Sequence, residues 1–258
     1  LLRVGLRVAI SEVPAPTAVR RTVSFSEAIF GGRVCVEGVH GTLVEDVDAL
    51  KNVWDEGTIP VMVDPTGTLV SLIHPAVLID ARMRKQVGIA ARELPVKTVA
   101  LGPGLVAGLN ADAVIETNRG PDLGRVIWSG SATANTHIPA MVDGHAADRV
   151  LRAPVDGCLR CDVDIGNIVG EEEPIGDVDG TPIVAPFRGL VRGLLRTGQI
   201  VSEGMKIGDI DPRLDPSLCQ RVSEKALAVA GGAVEATLIL LGREGFLFQL
   251  PNSSASTS

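Results

Sequence analysis

A mainly parallel sheet flanked by helices, then a small all-β module and a closing helix, is the α/β architecture this sequence predicts. Three observations carry the prediction. Short β-branched apolar runs alternate with helical patterns through the first half. A glycine-punctuated segment is then written twice. A long apolar stretch with a capping serine at its start comes near the end.

Composition sets the bounds. The chain has 258 residues, 45% of them apolar, which is enough for one large domain or two ordinary ones. A formal net charge of -7 argues against nucleic acid or an anionic membrane as partner. Tyrosine is absent and aromatics make up only 3%, so the stacking platforms of single-strand binders are missing too. No apolar run approaches the length of about 18 residues that a spanning helix needs. Residue 1 is Leu, and the opening does not resemble a signal peptide, so the expectation is a piece of a cytoplasmic protein. Four cysteines in a chain this long suggest reduced thiols. Cys158 and Cys161 form a single CxxC; with no second pair, and with strand positions three apart facing opposite sides, no metal site is expected.

In the first half, "LRVAISE", "PVMVDP", "VLIDA", "KTVALGPG" and "DAVIETNRG" read as strands. "DVDALKNVWDEG" reads as a helix capped by Asp46 or Asp48 and ended by Gly57. "GGRVCVEGVHGTLV" alternates around Gly38 as an antiparallel hairpin. Near-continuous apolar strands between helices indicate a Rossmann-like parallel sheet covered on both faces. In such sheets ligands bind beyond the carboxyl ends of the strands. Glu12, Asp64, Asp80 and Glu116 each fall there, and so do Gly102 and Gly104, whose backbone amides can face an anion. Asn118 and Arg119 add a hydrogen-bonding amide and a guanidinium fork. These eight residues are the expected cofactor site. Arg20, Arg21 and Ser24 could also face an anion, but a solvated helical turn explains them more simply.

The second half explains itself by duplication. "APVDGCLRCDVDIGNIVGEEEPIGDVDG" (153–180) and "APFRGLVRGLLRTGQIVSEGMKIGDIDP" (185–212) align without a gap, and twelve of the twenty-eight positions are identical. One copy is too short to bury a core, so the two must close on each other. Interlocked hairpin-rich halves of this kind resemble the biotinyl/lipoyl carrier domain, a small barrel-sandwich. In carriers a lysine at the inter-repeat tip takes the prosthetic group, but here the tip reads "GDVDGTPI" and has no lysine. Neither biotin nor lipoate is expected.

Residues 129–149 are rich in small polar groups and read as a connecting loop. "SEKALAVAGGAVEATLILLG" reads as a buried helix capped by Ser223 and bent or interrupted at Gly231-Gly232. The end of the chain reads as a disordered tail. The expected order is therefore an α/β domain (1–128), a loop (129–149), a barrel-sandwich domain (150–214), a helix (215–243) and a tail (244–258). His40, His74, His137 and His145 lie apart in sequence. Nothing nominates a nucleophile, so catalysis stays open.

Several longer stretches resemble one family. "AVRRTVSFSEAIF", "VEGVHGTLV", "LGPGLVAGLNADAVIETNRGPDLGRVIWSGSA", "RVLRAPVDG", "APFRGLVRGLL" and "KIGDIDPR" are similar to the YqeB family, over roughly residues 5–241. These are bacterial proteins linked with selenium-dependent molybdenum hydroxylases and maturation of their molybdenum cofactor. The resemblance implies a hydroxylase partner and a molybdopterin-type or nucleotide cofactor. It also implies an upstream strand and a "GGGDLATG"-like turn that this chain lacks. Glu12 would then end a second strand, where an acid can hold a ribose hydroxyl. The leading expectation is an accessory maturation protein. The alternatives are a non-catalytic docking or scaffold module and an NAD(P)-type oxidoreductase.

Overall fold

The computed structural model describes residues 1–83, 95–134, 141–243 and 245. His137 and nearly all of the expected tail lie outside them. The chain forms two compact units, residues 1–72 with 137–222 and residues 73–136 with 223–258. The stretch read as one α/β half contributes to both.

The first unit opens with β1 (Ile10–Glu12), α1 (Ala28–Gly31), β2 (Arg33–Val36), β3 (Val39–Val44), α2 (Ala49–Asp55), β4 (Ile59–Val63) and α3 (Thr68–Ile73). The sheet runs β1-β4-β3-β2. β4 pairs in parallel with β1 and with β3, and β2 closes the edge antiparallel to β3. That hairpin turns through Glu37 and Gly38, both at positive φ, as a two-residue loop between twisted strands requires. α2 starts where the Ala49 amide donates to Asp46 Oδ1 at 2.9 Å.

The second unit holds β5 (Val77–Asp80), β6 (Lys97–Leu101), β7 (Ala113–Ile115), β8 (Val126–Ile127) and α4 (Glu224–Arg243). β5, β6 and β7 are parallel, and β8 runs antiparallel to β7. Strand alternation sends Val99, Ala113 and Ile115 to one face, against Val229, Ala233, Ala236 and Leu240 of α4. Ala100 and Val114 face the other way, against Leu105, Ala107, Ala111 and Ala132. Both faces are dry, which is why these strands read as unbroken apolar runs. Among the described residues α4 is the one helix long and apolar enough to cross a membrane. It runs unbroken through Gly231 and Gly232, so the expected interruption does not occur.

The duplication returns to the first unit. Its strands are β9 (Val150–Arg152), β10 (Gly157–Cys161), β11 (Ile168–Val169), β12 (Pro174–Val178), β13 (Thr181–Val184), β14 (Gly189–Leu194), β15 (Ile200–Val201) and β16 (Lys206–Asp211). They form two sheets, β13-β12-β10-β15 and β11-β14-β16-β9. The repeat maps β9 to β12 onto β13 to β16, and the same mapping turns the first sheet into the second. Each sheet therefore takes both of its outer strands from the other copy, β13 and β15 around β12 and β10, and β9 and β11 around β16 and β14. Leu159, Ile175, Val178, Val191, Leu194, Val201, Ile207 and Ile210 share one core.

The Rossmann-like sheet followed by a closed barrel-sandwich is thus corrected. Four separate four-stranded sheets form; none is wholly parallel, and none closes into a barrel among the described residues. The physical reason is that an apolar run specifies a strand and its faces but not its partner. Strands of three to five residues can be shared between two small sheets as readily as collected in one.

Candidate functional site

Six of the eight expected site residues meet at one place, the carboxyl edge of β5, β6 and β7. The register sets Asp80 beside Ala100 and Leu101 beside Ile115, so the three parallel strands end together. Gly102, at φ 78°, donates its amide to the Ile115 carbonyl at 3.0 Å. A Cβ there would come within 3.0 Å of Thr117 Oγ1, so the loop can cross the strand end this closely only as glycine. Gly104 joins Asp80, Ala100, Leu101 and Leu105 in lining a shallow surface depression too small to enclose a water.

The carboxylates at this edge organise the loops. Asp80 is buried and takes a forked ion pair from Arg82, whose Nε lies 3.0 and 3.1 Å from its two oxygens. Glu116 is only 4% exposed. Its Oε1 accepts the Asn118 amide and its Oε2 the Thr133 amide, each at 2.7 Å. Burial alone would raise the Glu116 pKa. The amides of Asn118 and Thr133, with further help from the Thr133 hydroxyl and the Thr117 amide, outweigh it and hold the carboxyl below its ordinary value.

Beyond Glu116 the chain is exposed and cationic. Asn118 is exposed, and Arg119 Nη1 donates to Glu224 Oε1 of α4 at 2.6 Å. Both partners are solvent-exposed, so this bond can be exchanged for a ligand at little cost. Lys225 stands beside them; burial pushes its ammonium pKa down, Arg119 adds to that, and Glu116 opposes it. Sequence reasoning missed Lys225. The available signal was a lysine in the first turn of a helix, where the macrodipole disfavours a cation.

Glu12 and Asp64 lie in the other unit, at the ends of β1 and β4. They adjoin each other, the Asp64 amide donating to the Glu12 carbonyl at 2.8 Å. Asp64 is a helix cap, its Oδ1 accepting the Thr68 amide at 2.9 Å and its Oδ2 the Leu69 amide at 2.8 Å. Glu12 Oε1 accepts the amide of the next residue, Val13, at 2.8 Å.

An uncharacterized protein YqeB from Escherichia coli (strain K12) is 44% identical over 242 residues, 93% of this chain and 44% of that protein. The chain belongs to the YqeB family. It spans less than half the length of this YqeB relative. No family model matches. Two solved structures are similar to shorter stretches. A succinylglutamate desuccinylase/aspartoacylase from Rhodobacter sphaeroides is 24% identical, with a TM-score of 0.23, covering 26% of this chain and 22% of that one. An aspartoacylase family protein from Mesorhizobium loti is 14% identical, with a TM-score of 0.24, covering 33% and 28%. Likeness at this level carries no argument about the YqeB fold or its chemistry.

Proposed function

We propose that this chain belongs to a cytoplasmic accessory protein for maturation of a selenium-dependent molybdenum hydroxylase. In this reading it binds a phosphate- or nucleotide-bearing cofactor of the molybdopterin type at the carboxyl edge of β5, β6 and β7. Membership of the YqeB family supports the biological role. The observation that carries the binding role is the convergence of Asp80, Gly102, Gly104, Glu116, Asn118 and Arg119 on that edge. The 102–104 backbone supplies the close approach, Arg119 can exchange its exposed Glu224 partner for a phosphate oxygen, and Lys225 adds a second cation. Asp80 and Glu116 hold these loops in place and need not touch the ligand. Glu12 and Asp64 sit at the ends of a different sheet, and the proposed site does not include them.

Titration with molybdopterin and with a nucleoside monophosphate tests the site. Asn118→Ala and Arg119→Ala should each weaken binding by about tenfold. Unchanged affinity in both variants removes the assignment.

One observation favours a docking role beside this one. Ile168 and Ile200, equivalent in the two copies, sit on the outer strands β11 and β15 and are 45% and 77% exposed. Pull-down of the hydroxylase should weaken when both are replaced by Lys, and undiminished capture would exclude these strands.

A further inference from the structure

The duplicated module carries a second cationic centre, in the first unit and built from different residues. Asp211, at the end of β16, is fully buried, yet three guanidinium groups converge on it. Arg213 Nη2 lies 2.7 Å from its Oδ2, Arg192 Nη1 3.2 Å and Arg149 Nη2 3.6 Å. Arg149 also reaches Asp209 at 3.3 Å. Two further cations border the group. Lys206 begins the same strand, and Arg20 arrives on the segment before the first hairpin. Arg20, Arg149, Arg192, Lys206 and Arg213 thus gather around Asp209 and Asp211, with Asp215 also near Arg213, in a chain whose formal net charge is -7.

The segment carrying Arg20 does make a short helical turn, Arg21–Val23, but it is half-buried rather than solvated. The Leu194 amide donates to the Val19 carbonyl at 2.8 Å, which ties the segment to the end of β14. Gly193 permits this, since a Cβ there would stand 3.0 Å from the Val19 oxygen and 3.3 Å from Arg20 Cδ. Thr22 Oγ1 then donates to the Cys219 carbonyl at 2.6 Å, and Arg20 Nη2 donates to the Leu218 and Arg221 carbonyls at 3.0 and 2.9 Å. The chain holds Arg20 in place from both sides. Even so, two buried side-chain donors make no hydrogen bond, Arg20 Nε and Arg192 Nε. Buried guanidinium N–H groups are ordinarily paired. Two orphans on neighbouring like charges are the complement of a missing anionic acceptor. The titration behaviour agrees in direction: burial, then the charge of Arg192, lowers the Arg20 pKa, and burial lowers that of Lys206. A bound anion would relieve both.

We propose that Arg20 and Arg192, backed by Lys206 and Arg149, form a site for a tetrahedral oxyanion, either inorganic phosphate or the terminal phosphate of a phosphomonoester. Fork-shaped donors fixed by carbonyl and carboxylate partners suit such an oxyanion better than mobile lysines would. The proposal is independent of the strand-edge site in the second unit.

Calorimetric titration of the full chain carrying Arg119→Ala, which removes the strand-edge phosphate ligand, with inorganic phosphate and, separately, with AMP tests it, at constant ionic strength against chloride. Saturable phosphate binding is expected in this background, weakened by about tenfold or more when Arg20→Met or Arg192→Met is added and unchanged when Lys51→Met, at an exposed lysine outside both sites, is added. AMP binding more tightly than phosphate assigns the ester as the source, and the reverse assigns the free ion. Two results would overturn the site: no phosphate binding beyond chloride in the Arg119→Ala background, or full affinity retained when either Met substitution is added. If circular dichroism shows either Met variant unfolded, tungstate soaked into crystals of the unaltered chain decides. An anomalous peak within hydrogen-bonding reach of Arg20 and Arg192 upholds the site, and none there rejects it.

Discussion

Gly124 and Gly232 meet backbone to backbone. A Cβ on Gly232 would collide with the Gly124 carbonyl oxygen, and one on Gly124 with the Ala228 carbonyl oxygen. The pair lets α4 settle directly onto the loop that follows Glu116, close to Ile115 of β7. Gly231, one residue earlier, is exposed with open space around it. The two glycines should therefore respond oppositely to the same change. Gly232→Ala should cost about 1–3 kcal/mol through overpacking, whereas Gly231→Ala should gain up to about 1 kcal/mol of helix propensity. Thermal unfolding of the two variants gives the comparison, and equal shifts would refute the close approach.

Asp64 illustrates how a strand-end acid can be structural. Both its oxygens accept amides at the start of α3. Asp64→Ala should destabilise the protein by about 1–2 kcal/mol, and ligand affinity at the β5–β7 edge should not change. Chemical denaturation and the cofactor titration, run on the same variant, separate the two effects. A loss of affinity at unchanged stability would return Asp64 to the binding site.

Much of the local structure is legible in the sequence. Gly38 marks the β2–β3 hairpin, Asp46 the start of α2, and Gly57, at φ 70°, its end. The duplication is visible residue by residue, and its strands fall at matching positions. What sequence cannot specify is partnership. Nothing in "PVMVDP" or "VLIDA" says that β4 and β5 enter different sheets, because both are short apolar runs ending in an acid. The same ambiguity covers the site. Asp64 and Asp80 look alike as sequence, yet one caps a helix and the other holds Arg82. Arg20 reads as a surface residue because its partners, the Leu218 and Arg221 carbonyls, come from the far end of the unit.

Glu116 makes the fold sensitive to acid in a predictable direction. Its folded pKa is depressed below the ordinary 4.5. The stability it contributes is therefore fully present above that value and is lost as pH falls through the lower, folded one. Asp211 is depressed too: burial raises its pKa, but hydrogen bonds from Arg213 and the charges of Arg213 and Arg192 outweigh it. Wild type alone cannot separate the two groups, but Glu116→Gln can. The stability gap between wild type and this variant should be widest at neutral pH and shrink as pH drops below 4.5. Urea denaturation across that range checks it, and a gap independent of pH would show that the carboxylate's charge is immaterial.

Strand exchange between the repeats yields the last prediction. β10 depends on β15 from the second copy, and β14 depends on β11 from the first. Neither copy can complete a four-stranded sheet from its own residues, and the shared core draws side chains from both. A peptide spanning residues 150–180 should thus show no cooperative unfolding as a monomer, since β10 paired with β12 alone buries too little apolar surface to offset its ordering entropy. Mixed with a peptide spanning 181–215, it should recover β structure, because every missing partner strand is then supplied. Far-ultraviolet circular dichroism of each peptide and of the mixture is the measurement. Independent folding of either half as a monomer would show that the exchanged strands are dispensable, and with them the two-copy requirement that the duplication implies.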